Sequence, residues 1–218
     1  MVKMDLQKEL KAFYAPSARV VQVVDVPRFQ FVMIDGRIET GLAPGTSPGF
    51  QQAMESLYGA VYTLKFMSKL RKVDPIDYPV MALEGLWWVE DSNFDIMKKD
   101  NWVYTVMILQ PDHITPELFA EALSQMRKKK GDLPAFSRLR LEAFQEGLCV
   151  QMMHVGPYET EPGTVARMEA FAAANGYTMH GKHHEIYLGN PLRAQPDKLK
   201  TILRHPIEDF ISFQAKPL

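Results

Sequence analysis

Apolar residues along this chain switch between two spacings, and the switches fall in the same order twice. Leu6, Leu10 and Phe13 recur at helical spacing, so a short helix is predicted before Pro16. Residues 20–26 and 29–34 are β-branched and aromatic runs, and with Pro27 and Arg28 between them they predict a hairpin. Thr46-Ser47-Pro48 supplies a cap residue followed by proline, a helix start. From there Phe50, Met54, Leu57, Val61, Leu64 and Met67 recur every three or four residues, the stripe of a long amphipathic helix. It runs out at Lys69, Arg71 and Lys72, where the helix dipole favours cations. Strands are predicted over 80–89 and 102–109. A further helix opens at Thr115-Pro116-Glu117, turns Leu118, Phe119, Ala122, Leu123 and Met126 inward and ends in Arg127-Lys128-Lys129-Lys130-Gly131. That lysine run reads as a cationic helix end rather than a phosphate site.

The order then restarts. Residues 139–144 and 148–154 predict a second hairpin around Glu146-Gly147, and Thr160-Glu161-Pro162-Gly163 echoes Thr46-Ser47-Pro48-Gly49 at the head of another helix. Strands over 183–188 and 200–204 stand where 80–89 and 106–110 stood. Each half is therefore hairpin, helix, hairpin, and a half alone would expose an apolar sheet face. The expectation is one α+β domain over residues 1–218, built from a duplicated β-α-β-β motif. Its two antiparallel sheet halves, at about 18–111 and 136–207, surround a central ligand cleft.

Composition narrows the function classes. The chain has 218 residues, 46% hydrophobic and 23% charged, enough to bury a core unaided. Cys149 is the only cysteine, which rules out an intrachain disulfide, fits a reducing cytoplasm and reads as a small buried hydrophobe. The net charge of −1 argues against bulk attraction to nucleic acid. No apolar run is long enough for a membrane span. The expected partner is a small molecule, with the protein a monomer or homodimer in the cytoplasm. The 13 methionines serve either an adaptable binding surface or ordinary core filling.

Three segments carry a resemblance: Glu146-Gly147-Leu148-Cys149-Val150-Gln151, His154-Val155-Gly156-Pro157-Tyr158, and Gly181-Lys182-His183-His184-Glu185-Ile186-Tyr187-Leu188. At these the chain resembles the GyrI-like small-molecule-binding domain family, which includes effector-binding domains of multidrug-responsive activators. The strand 185–188 with Pro191 and Arg193 after it is the most family-like piece, although Asn190 stands where the family typically has aspartate. The resemblance implies a central cleft in which a strand glutamate, matching Glu185, meets aromatic or cationic compounds. It also implies the stand-alone branch, some of whose members hydrolyse the strained cyclopropane of DNA-alkylating natural products. A non-catalytic sensor or sequestering role, and an interaction with DNA gyrase, are the alternatives.

Alternation along the strand puts His183, Glu185 and Tyr187 on one face and His184, Ile186 and Leu188 on the other. In the first half Glu84, Leu86 and Trp88 share a face, with Glu84 expected at the place equivalent to Glu185. Leu83, Trp87 and Val89 share the opposite, core-like face. The expected ligand box is thus Glu84, Trp87, Trp88, Tyr104, His154, His183, Glu185 and Tyr187. For a hydrolase, Trp88 and Trp87 would hold the plane and Glu185 would act as base. Tyr187, Tyr104 or His154 would be the donor. Adjacent His183 and His184 point apart and cannot easily chelate one ion. His183 and Glu185 could, with help from His154 or His180, but no catalytic zinc motif is present, and no metal and no cofactor are expected.

Overall fold

The computed structural model describes residues 1–90, 95–96, 98, 101–189 and 194–209. The chain opens with β1 (Val2–Lys3) and two single-turn helices, α1 (Leu6–Glu9) and α2 (Lys11–Tyr14). The first half continues as β2 (Gln22–Arg37), α3 (Pro48–Lys69), β3 (Ile76–Asp77), β4 (Leu83–Trp88) and β5 (Val103–Gln110). After α4 (Pro116–Lys130), the second half runs β6 (Arg140–Val155), α5 (Glu161–Ala174), β7 (Tyr177–Met179), β8 (His183–Tyr187) and β9 (Lys200–Asp209).

The helix starts follow from the cap chemistry. The Ser47 hydroxyl accepts from the Phe50 amide at 3.0 Å, and Pro48 occupies a first-turn position that needs no amide donor. Thr115 does the same for α4. Ala53, Leu57, Ala60, Val61 and Leu64, the inward stripe of α3, are fully buried against the sheet and α4.

Each predicted hairpin is instead one continuous 16-residue strand. β2 and β6 pair with each other, antiparallel, from Gln22↔Gln151 to Met33↔Arg140. Two-residue hairpin turns need positive φ, which proline cannot supply. Pro27 falls opposite Glu146, between the pairs Val26↔Gly147 and Arg28↔Gln145, and the ladder runs on past it. Gly147 has φ of 76°, a left-handed conformation open to glycine, and the strand continues through it in unbroken register.

The main sheet is antiparallel in the order β6-β2-β5-β4-β8-β9-β7, and β6 also pairs with β9, so the strands close into a barrel-like ring. The duplication is visible in this order. β2 and β6 adjoin, β4 and β8 adjoin, and α3 and α5 lie over corresponding parts of the sheet. α4, packed on α3, is an addition to the first half. Where the helices part, β4 and β8 form the floor of the cleft.

Candidate functional site

Register decides which side chains meet. Gly85 pairs with Glu185, Trp87 with His183 and Leu83 with Tyr187, so all six residues share one face of the β4–β8 ladder. That face looks toward the helices, since Trp87 packs on Phe50 of α3 at 5.6 Å between ring centroids. Between α3 and the start of α5 it bounds a cavity of about 820 Å³. Phe50, Met54 and Tyr58 of α3 form one wall, Trp87 and Trp102 the floor, and Tyr158, Glu161, Glu185 and Tyr187 the polar end. The volume suits a drug-sized ligand held mainly by apolar contact.

Glu185 is the centre of a hydrogen-bonded chain. Tyr187 Oη donates to Glu185 Oε2 at 2.5 Å, and Trp87 Nε1 donates to Tyr187 Oη at 3.0 Å. His183 Nε2 lies 3.1 Å from Glu185 Oε1; a carboxylate only accepts, so the imidazole donates there. His183 Nδ1 in turn meets His205 Nε2 at 2.9 Å. Burial, with His183 beside it, pushes His205 down to about 3, so His205 is neutral at physiological pH. Burial and the nearby carboxylates hold the Tyr187 phenol well above its ordinary value and push Tyr158 up to about 12. Both tyrosines therefore keep their protons. Glu161, the first residue of α5, is 2% exposed and lies close enough to His183 and Glu185 to bring a second carboxylate to the same end of the cavity.

The expected site residues divide three ways. Glu185, Tyr187 and Trp87 line the cavity. Trp87, whose strand face looked like plain core, is a cavity wall. His183 stands directly behind Glu185, and Tyr104, paired with Trp87 across β4 and β5, lies beside the floor, edge-on to Phe50 at 5.0 Å. Glu84, Trp88 and His154 are not part of the cavity lining. Glu84 and Trp88 project from the opposite face, because Gly85 rather than Glu84 pairs with Glu185. Trp88 instead lies under the Lys182 ammonium, 3.4 Å from its ring centroid. His154 bonds Thr164 Oγ1 at 2.9 Å and Thr160 Oγ1 at 3.1 Å, shaping the turn into α5.

Glu84 belongs to a second buried network. His184 lies between two carboxylates, with Nε2 3.1 Å from Glu84 and Nδ1 2.9 Å from Glu146. Burial alone would lower His184, but Glu146 and Glu84 outweigh it and raise it to about 9. Burial likewise opposes ionised Glu146, yet His184 and Arg204 hold it down at about 2. Tyr14 Oη donates to Glu84 at 2.5 Å, and Arg204 donates to the Phe13 carbonyl at 2.7 Å. This network therefore ties the N-terminal helices to the sheet.

Sequence reasoning missed Glu161, Tyr158 and the aromatic wall of α3. The Glu161-Pro162 helix start was visible, but its aim into the cleft depends on where α5 sits against β6 and β9.

The GyrI-like small molecule binding domain model matches residues 20–208. The chain belongs to the GyrI-like family. A crystal structure of an uncharacterized conserved protein from Listeria innocua is 41% identical, with a TM-score of 0.85, over 94% of this chain and all of that one. A hydrolase from Listeria innocua is 40% identical, with a TM-score of 0.79 and the same coverage. The C-terminal domain of EcmrR shares the fold at 10% identity, with a TM-score of 0.52, over 87% of this chain and 98% of that one. No curated protein matches the chain. Pro191 and Arg193, part of the resemblance, and Asn190 lie outside the described residues. Among the described residues no helix is long and apolar enough to cross a membrane.

Proposed function

We propose that this GyrI-like domain binds a planar aromatic small molecule in the cavity between α3 and α5 and hydrolyses it with Glu185 as general base. The observation that carries this reading is the Glu185 carboxylate, 5% exposed, set in an aromatic cavity and held by Tyr187 and His183. A ligand plane lies between Phe50, Tyr58 and Trp87, which fixes its reacting carbon relative to the carboxylate. The substrate class is an activated cyclopropane of the kind carried by DNA-alkylating natural products. Glu185 takes a proton from water as the water oxygen bonds to the cyclopropane carbon. The strained C–C bond breaks, its electron pair passes into the conjugated carbonyl, and the resulting oxyanion is then protonated. Tyr158, a neutral phenol at the cavity end, is placed to donate to that oxyanion. The hydrolase relative at 40% identity supports catalysis over capture alone.

The test is turnover of a cyclopropane-bearing planar substrate by the unmutated protein and by Glu185→Gln. General-base catalysis is typically worth about 10²–10⁴-fold, so the variant loses roughly that factor in kcat while its affinity holds. An unchanged kcat rules out the base role. A protein that binds but never turns over supports the second reading, non-catalytic capture of an aromatic cation. The pair Glu161 and Glu185 among aromatic rings favours that ligand chemistry.

A further inference from the structure

The polar end of the cavity combines an imidazole with two carboxylates in a way the proposed hydrolysis does not fully use. Glu161, His183 and Glu185 each present one ligand atom, and the three atoms lie within 4.8 Å of one another. All three side chains are at least nine-tenths buried, at 2%, 2% and 5% exposure. A zinc-type ion bound at about 2.0–2.2 Å to oxygen and nitrogen holds neighbouring ligand atoms roughly 3–3.5 Å apart. His183 Nε2 and Glu185 Oε1, at 3.1 Å, already have that separation. Glu161 sits on the first turn of α5 with its ligand atom within 4.8 Å of both.

The surroundings fit the same arrangement. A metal-ligating histidine usually donates its second ring N–H to an acceptor that fixes the tautomer and the ring plane. His205 Nε2 stands 2.9 Å from His183 Nδ1 and is that acceptor once both rings adopt the other tautomer. Tyr187 Oη holds Glu185 Oε2 at 2.5 Å, so Oε1, which meets His183 Nε2, is the oxygen on the side the ion would take. Two carboxylates balance a divalent charge, so the bound ion leaves no net charge in an apolar cavity. The remaining coordination positions face the cavity, as in sites with three protein ligands and an exchangeable fourth.

We propose that Glu161, His183 and Glu185 form a binding site for one divalent cation of the zinc type, with His205 as its positioning residue. Under the reading that makes Glu185 the base, an occupied site withdraws that carboxylate and stops turnover, so the cation is an inhibitor of the hydrolysis. This consequence rests on that reading; the cation site itself does not.

The experiment is calorimetric titration of the chelator-treated full chain with zinc chloride, without substrate, alongside cobalt titration followed by ligand-field absorption. One equivalent is expected to bind, with the cobalt spectrum reporting a four- or five-coordinate centre. Glu161→Gln and His183→Ala lose that equivalent. His205→Phe binds about 10–100-fold more weakly, and His180→Ala, which alters an exposed histidine, binds as the unmutated protein does. Glu161→Gln keeps the shape of the side chain, and an unchanged circular dichroism spectrum confirms its fold. Zinc binding that survives both Glu161→Gln and His183→Ala, or no binding by the unmutated chain, overturns the proposal. Because the titration needs no substrate, its failure is distinct from a failure of Glu185→Gln to slow turnover.

Discussion

Gly85 lies directly opposite Glu185 across the β4–β8 ladder, and the indole of Trp87 covers the space a side chain there would fill. A Cβ added at Gly85 would stand 2.7 Å from Trp87 Nε1 and 3.0 Å from its Cε2. Gly85→Ala therefore swings the indole away and breaks its 3.0 Å bond to Tyr187. Overpacking of this kind costs about 1–3 kcal/mol. The expected outcome is a shifted tryptophan emission and weaker binding of planar ligands; emission and affinity both unchanged would show that the indole is not held this way.

The two adjacent tryptophans separate cleanly. Trp87→Ala removes a cavity wall and is expected to weaken ligand binding by about 2 kcal/mol or more, as lost burial of a large ring does. Trp88→Ala removes a half-buried ring that meets Lys182 on the other face, at a cost of about 0.5–1 kcal/mol in stability. Its ligand affinity stays unchanged. Fluorescence titration and thermal melts of both variants check this, and a binding loss in Trp88→Ala contradicts the face assignment.

The His184–Glu146 pair makes stability depend on pH at both ends. Glu146 is lowered to about 2, so its contribution is present above the ordinary value of 4.5 and is lost as pH falls from there toward 2. His184 is raised to about 9, so the same pair is intact below 6.5 and is lost as pH rises through 9. Counted once, the pair contributes roughly 3 kcal/mol between those limits. Denaturant melts across pH are expected to show a plateau with two falling limbs. Glu146→Gln leaves a buried imidazolium and guanidinium short of a counter-charge, costing about 3–5 kcal/mol and flattening the acid limb.

Tyr14→Phe tests the anchoring of the N-terminal helices. It removes the 2.5 Å bond to Glu84 and leaves a buried carboxylate with one donor fewer, a loss of about 1.5–3 kcal/mol. Hydrogen exchange of residues 6–15 is expected to accelerate well beyond that of β4. Uniform acceleration across the chain would mean that the segment is not a separate cooperative unit.

Local chemistry made much of this legible in advance. The cap-and-proline starts at Ser47-Pro48 and Thr115-Pro116 mark α3 and α4 because those residues satisfy or remove first-turn amides. Alternation alone places His183, Glu185 and Tyr187 on one face. What alternation lacks is the offset between strands distant in sequence. Glu84 looked like the partner of Glu185, and only the pairing Gly85↔Glu185 moves it to the other face. The unbroken β2 and β6 were hidden for a related reason: Pro27 and Gly147 resemble turn residues until the opposite strand is known.

The ring of strands joins two copies of one motif, but the copies have diverged in duty. The second supplies the ionisable and proton-bearing groups Glu161, His183, Glu185 and Tyr187, whereas the first supplies shape through Phe50, Met54, Tyr58 and Trp87. The position facing Glu185 in the first copy is a glycine, Gly85. A duplicated gene divided in this way can evolve its two properties apart. Changes in α3 retune which molecules fit, while the reacting groups, encoded more than a hundred residues downstream, stay under their own selection.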